Sequence, residues 1–139
     1  YAYSLKEEAK EEAAIGWVLI APIRDFLIEN GFEVESPAFL KGKSGANHMF
    51  DIVAHVEDAK HKITVIDIAT STENAVPEQP IIALFAKIFD VSPENAYLIA
   101  IPKMSENGKK MAELYNITLV EAKSQKEAIR ALKEKMLKK

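Results

Sequence analysis

The stretch that decides the fold is His48-Met-Phe-Asp-Ile-Val-Ala-His-Val56, followed after five residues by Lys62-Ile-Thr-Val-Ile-Asp-Ile-Ala-Thr70. Both runs are rich in β-branched and aromatic residues, which suit a pleated strand. The intervening Glu57-Asp-Ala-Lys-His61 is polar and of hairpin-loop length. If Val56 faces Lys62, then Asp51 falls opposite Asp67, on the same face and roughly 5 Å apart at Cβ. Two carboxylates that close repel each other. A cation between them, or a raised pKa, resolves the conflict.

Period-two alternation gives each strand two faces. Met49, Asp51, Val53 and His55 share one with Ile63, Val65, Asp67 and Ala69. Phe50, Ile52, Ala54 and Val56 share the other with Thr64, Ile66 and Ile68. Both faces are apolar in their middles, so the hairpin is expected to be covered on both sides. Two acids inside such a sheet are costly unless solvated or partnered.

Working outward, Ser4 to Asn30 reads as helix. Ser4 and Glu7 form a capping-box pattern, Gly31 suits the C′ position, and Pro22 should kink the helix or split it. Phe32 to Leu40 reads as a strand, with Pro37 placing it near an edge or bulge. Val76 to Asp90 reads as helix with an apolar face of Ile81, Leu84, Phe85 and Ile88. Ala96 to Ile101 is continuously apolar, as in a buried central strand. Ser105 to Asn116 is a helix, Ile117 to Glu121 a short strand, and Ser124 to Lys139 a last helix with a second capping box at Ser124 and Glu127. The order α-β-β-β-α-β-α-β-α predicts an α/β fold. Its mixed central sheet should be antiparallel at one side and parallel at the other, with helices on both faces.

At 139 residues and 48% hydrophobic content the chain suits one domain with one core. It begins with Tyr1, and the expectation is a piece of a longer protein. It contains no cysteine, which excludes disulfide, thiolate and Cys-zinc chemistry and suits a reducing cytoplasm. The most apolar stretch, Ala13 to Ile28, is interrupted by Pro22, Arg24 and Asp25, so no membrane span is expected. A net charge of −3 is not the basic footprint of most nucleic-acid binders. The lysines and Arg130 of the last helix read as a solvated face whose cations suit a helix C-terminus.

The stretch Gly42-Lys-Ser-Gly-Ala-Asn-His-Met-Phe-Asp-Ile-Val-Ala54, with Val65-Ile-Asp-Ile-Ala69 after it, resembles the PD-(D/E)XK nuclease superfamily. The likeness is closer to restriction-endonuclease-like domains of the Mrr type and to archaeal Holliday junction resolvases. It extends over nearly the whole chain as a succession of elements. The resemblance implies that Asp51 and Asp67 bind Mg²⁺, which organises water for attack on a phosphodiester of DNA. It implies that an acid of the first helix, Glu12 or Glu8, assists. It also implies a lysine two residues after the second acid, where this chain has Ala69. Alanine neither orients water nor neutralises a phosphate. Either Lys43 or Lys87 reaches the site from elsewhere, or the fold is kept for binding DNA or a protein partner, including a second copy in a homodimer, and cleavage is lost. The expectation leans towards loss.

Other residues are weighed beside these. Lys41-Gly-Lys-Ser-Gly45 can hold phosphate, or simply turn between strands. It is not a Walker A loop, because Pro37 stands where the first glycine belongs. His48, three residues before Asp51, suits a metal ligand or a structural hydrogen bond equally. His55 lies about 13 Å from Asp51 along the strand, and His61 sits in the hairpin loop. Glu78 and Gln79 open the helix after the third strand and are candidates for a polar group near the metal. Trp17 is expected in the core.

Overall fold

The computed structural model describes residues 19–56, 58, 59 and 62–137. Glu8, Glu12, Trp17, His61 and the Ser4–Glu7 capping box lie outside the described residues. Helix α1 is described over residues 19–29. It is followed by β1 (Phe32–Glu35), β2 (Ala38–Lys41), β3 (Asn47–Phe50), β4 (Ile52–Val56) and β5 (Thr64–Thr70). Then come α2 (Gln79–Val91), β6 (Asn95–Ile101), α3 (Glu106–Leu114), β7 (Thr118–Glu121) and α4 (Gln125–Leu137).

The main sheet has the order β1-β4-β5-β6-β7. The β1–β4 and β4–β5 pairs are antiparallel, and β5–β6 and β6–β7 are parallel. This is the mixed sheet that the sequence predicts. The hairpin register also holds, with Ile52 opposite Ile66 and Ala54 opposite Thr64. Continued by one residue, that register sets Asp51 against Asp67.

Two of the expected strands are broken, which corrects the element order. The strand expected over 32–40 divides into β1 and β2 at Ser36 and Pro37. Proline has no N–H to give to a ladder. The strand expected over 48–56 divides into β3 and β4 at Asp51. Beyond the breaks β2 and β3 pair with each other as a separate two-stranded ribbon. The main-chain groups freed at the corner are met by side chains. Ser36 Oγ donates to the Asp51 carbonyl at 2.6 Å, and the Asp51 N–H donates to Asp67 Oδ1 at 2.9 Å.

The break also corrects the face of Phe50. Alternation places it with Ile52. Instead Phe50 packs with Val53, Val65, Leu98, Ile81 and Leu84, on the side covered by α2 and α3. Ile52, Ala54, Ile66, Tyr97 and Ile99 face the other way, onto Ile23 and Leu27 of α1 and Ala128 and Leu132 of α4. The period is reset at Asp51, because residues before and after it no longer belong to one ladder. Strand β6 is buried on both faces, as its apolar run implies.

Helix ends follow local chemistry. Pro80 stands in the first turn of α2. The helix starts at Gln79 rather than Val76, because Val76 instead bridges to Met104. Ser105 Oγ accepts from the Gly108 N–H at 3.1 Å and caps α3. The box at α4 forms with a shift. The Glu127 N–H donates to Ser124 Oγ, while the Glu127 carboxylate takes the N–H of Lys123. Gly31 follows α1 at φ +90°, the left-handed conformation expected of it. Among the described residues no helix is long and apolar enough to cross a membrane.

Candidate functional site

Asp67 lies in the middle of β5, and Asp51 lies at the corner where β3 ends and β4 begins. The two are knitted together through the backbone. The Asp51 N–H donates to Asp67 Oδ1 at 2.9 Å, and the Ile68 N–H donates to Asp51 Oδ2 at 2.8 Å. Asp51 Oδ1 has no hydrogen-bond partner among the described residues.

A cation completes the group. Lys87, on α2, donates from Nζ to Asp67 Oδ2 at 2.5 Å and to the Met49 carbonyl at 2.7 Å. The same ammonium lies 4.6 Å from the centre of the Phe50 ring. The pair is largely enclosed, with Lys87 22% and Asp67 16% exposed. Helix α2 packs on the sheet through Ile81 and Leu84, and this docking delivers Lys87 to the acids.

Burial pushes the Asp51 carboxyl above its ordinary value of 3.8. The Ile68 N–H pulls it back, the charge of Asp67 raises it again, and Lys87 lowers it. The folded state therefore takes up a proton more readily than the unfolded chain. The resulting cost is absent below the unfolded value and fully present above the folded one. Replacing Asp51 with asparagine keeps an acceptor for the Ile68 N–H and removes the charge. It should stabilise the fold by about 1 kcal/mol at neutral pH. That gain should fade as pH falls through the folded pKa towards 3.8. Thermal melts of both proteins across pH 3 to 8 check this (~1 kcal/mol scale). A gain that grows towards acid would contradict it.

The other sequence candidates are distributed as follows. Lys43 does not join the acids. It lines a separate cleft of about 600 Å³ with Phe85, Phe89, Asp90, Tyr115 and Asn116. Gln79 is two turns up α2 from Lys87, about 12 Å along the axis, and no hydrogen bond joins it or Glu78 to either acid among the described residues. His48 points away from Asp51, with Nε2 2.7 Å from Asp90 Oδ2. His55 pairs across β1–β4 with Glu33 at 3.3 Å. Ala69 is partly buried against the α2–α3 layer.

The glycine loop, for which the sequence leaves phosphate binding and a simple turn both open, turns between β2 and β3 and holds the carboxylate of Asp90. Ser44 N–H donates to Asp90 Oδ1 at 2.8 Å, and Ser44 Oγ donates to Oδ2 at 2.6 Å. These bonds and His48 lower the Asp90 pKa to about 2. An ionised carboxylate only accepts, so His48 Nε2 carries the proton in this contact. Asp90 was missed in the sequence. Its signal was an acid in the last turn of a helix, where the helix dipole disfavours negative charge.

Among the described residues no three His, Cys, Asp or Glu side chains cluster closely enough to hold a metal ion. The donor set of Asp51 and Asp67 still suits Mg²⁺, a hard cation that often takes one or two carboxylates and keeps its waters.

No family model matches the chain, and no curated protein does. Its fold is similar to that of a solved structure titled "Crystal Structure of Protein of Unknown Function AF1548", with a TM-score of 0.59 and 20% identity. The match covers 73% of this chain and 56% of that one. At that identity the likeness shows a shared α/β fold. The chain spans little more than half the length of the protein it matches.

Proposed function

We propose that the chain is a restriction-endonuclease-like domain acting on DNA, in which Asp51 and Asp67 hold Mg²⁺ and Lys87 stands in for the lysine that position 69 lacks. The observation that carries this is the Lys87 ammonium 2.5 Å from Asp67 Oδ2, beside the buried Asp51. Residue 69 shares the Asp67 face of β5, and a lysine there would bring its ammonium to these acids. Helix α2 brings one to the same carboxylate from above the sheet. When bound, Mg²⁺ would activate water and offset charge on the phosphodiester. Lys87 would orient that water or stabilise the pentavalent phosphorus. Asp51 and Asp67 would set where the phosphate comes to rest. A cytoplasmic setting accords with this reading and with the absence of cysteine.

The test is a titration of Mg²⁺ and Mn²⁺ into the protein, with the Asp51 and Asp67 carboxylates followed by NMR, run beside cleavage assays on single-stranded, duplex and branched DNA. Both carboxylates should shift at millimolar metal. Asp67→Asn should abolish the response and the cleavage. Silent carboxylates in the unaltered protein would end the nuclease reading.

A second reading has its own observation. Both oxygens of Asp67 and the Lys87 ammonium already have protein partners, so the group is satisfied without metal. On this reading the domain binds DNA or a protein, as a single copy or a homodimer, without cutting. DNA binding of this kind would weaken steeply with salt in gel-shift assays, and it would survive Asp67→Asn.

A further inference from the structure

Helix α2 meets the β2–β3 ribbon at two points. Lys87 donates to the Met49 carbonyl, and one turn later Asp90 receives His48 and Ser44. The main-chain carbonyl of Asp90 takes the Lys43 N–H at 2.9 Å as well. The turn at residues 42–46 and the start of β3 are thus fastened to the end of α2. The fit is close. A Cβ added at Gly42 would lie 2.0 Å from Asp90 Oδ2, so only glycine leaves room for this carboxylate. The ribbon needs such a fastening, because two strands alone are marginally stable. Its other anchors on the core are Ala38, Phe50 and the partly buried Leu40.

His48 and Met49 are consecutive. Whatever fixes the His48 side chain therefore restrains the backbone one residue before the Met49–Phe50 peptide, whose carbonyl receives Lys87. We propose that Asp90 is a positioning residue: by gripping Ser44 and His48 it sets the Met49 carbonyl, and so holds the Lys87 ammonium against Asp67. Its bearing on catalysis rests on the function proposed above. The geometric part stands without it.

The test follows the Lys87 ammonium itself, by NMR of its hydrogen exchange with water in the metal-free protein. Asp90→Ala should speed this exchange about tenfold, because one of the ammonium's acceptors is no longer held in place. Asp90→Asn keeps one oxygen to accept from Ser44 but loses the second acceptor position, so it should speed exchange less than Asp90→Ala, by about threefold. Ser44→Ala should fall between them, and it serves if Asp90→Ala does not fold. A merely structural role would lower the melting temperature of these variants and leave Lys87 exchange in the native state unchanged. That result, or an Asp90→Asn variant as fast as Asp90→Ala, would overturn the proposal. The measurement needs no metal, so its failure is distinct from that of the nuclease reading, which the Mg²⁺ titration decides.

Discussion

Replacing Lys87 with alanine is expected to destabilise the protein by about 2 to 3 kcal/mol at neutral pH. The substitution removes the cation that, among the described residues, touches Asp67 and leaves that carboxylate enclosed beside Asp51. It also leaves the Met49 carbonyl without its donor. A drop in melting temperature of about 10 °C is the corresponding observable for a domain of this size. Adding Asp67→Asn should restore much of the lost stability, because the orphaned charge is gone. Lys87→Met, which keeps the apolar stem, separates packing from charge. If the acids hold metal, millimolar Mg²⁺ should stabilise Lys87→Ala more than the parent, because the metal then replaces the lost cation. An alanine variant as stable as the parent would mean that the pair contributes little net energy.

Phe50→Ala is expected to cost about 3 to 5 kcal/mol, the range for emptying a buried aromatic site. The Phe50 ring is fully buried where β3 ends, among residues of β4, β5 and α2. Its loss opens a cavity under the corner that carries Asp51. It also removes the ring 4.6 Å from the Lys87 ammonium. The effects of Phe50→Ala and Lys87→Ala should therefore fail to add, with a coupling of about 0.5 to 1 kcal/mol in a double-mutant cycle. Urea unfolding measures both quantities. Strict additivity would show that the ring acts only as core.

The sequence carried the local pairings well. The Ile52–Ile66 register could be read because both strands are adjacent in the chain and one polar loop joins them. The two-sided cover could be read from the apolar faces, and the cap at Ser124 from its spacing to Glu127. The corner was harder to see. Pro37 hinted at it, but the break at Asp51 depends on Ser36, between β1 and β2, and Asp67 of β5 meeting its backbone. Phe50 was therefore assigned to the wrong side. The site was legible as far as the acids and the gap at Ala69. Lys87 was one of two lysines weighed, and the choice between them is made by how α2 docks, which no local pattern encodes. Asp90 has partners 42 and 46 residues away, so its grip on His48 and Ser44 left no mark in spacing.

One of the two outermost strands of the main sheet, β1, has an edge that pairs with no strand among the described residues. It is four residues long and carries Glu33 and Glu35 in exposed positions. A second copy approaching edge to edge would bring like charges together along a very short ladder. Growth of the sheet from molecule to molecule is thereby discouraged at that border.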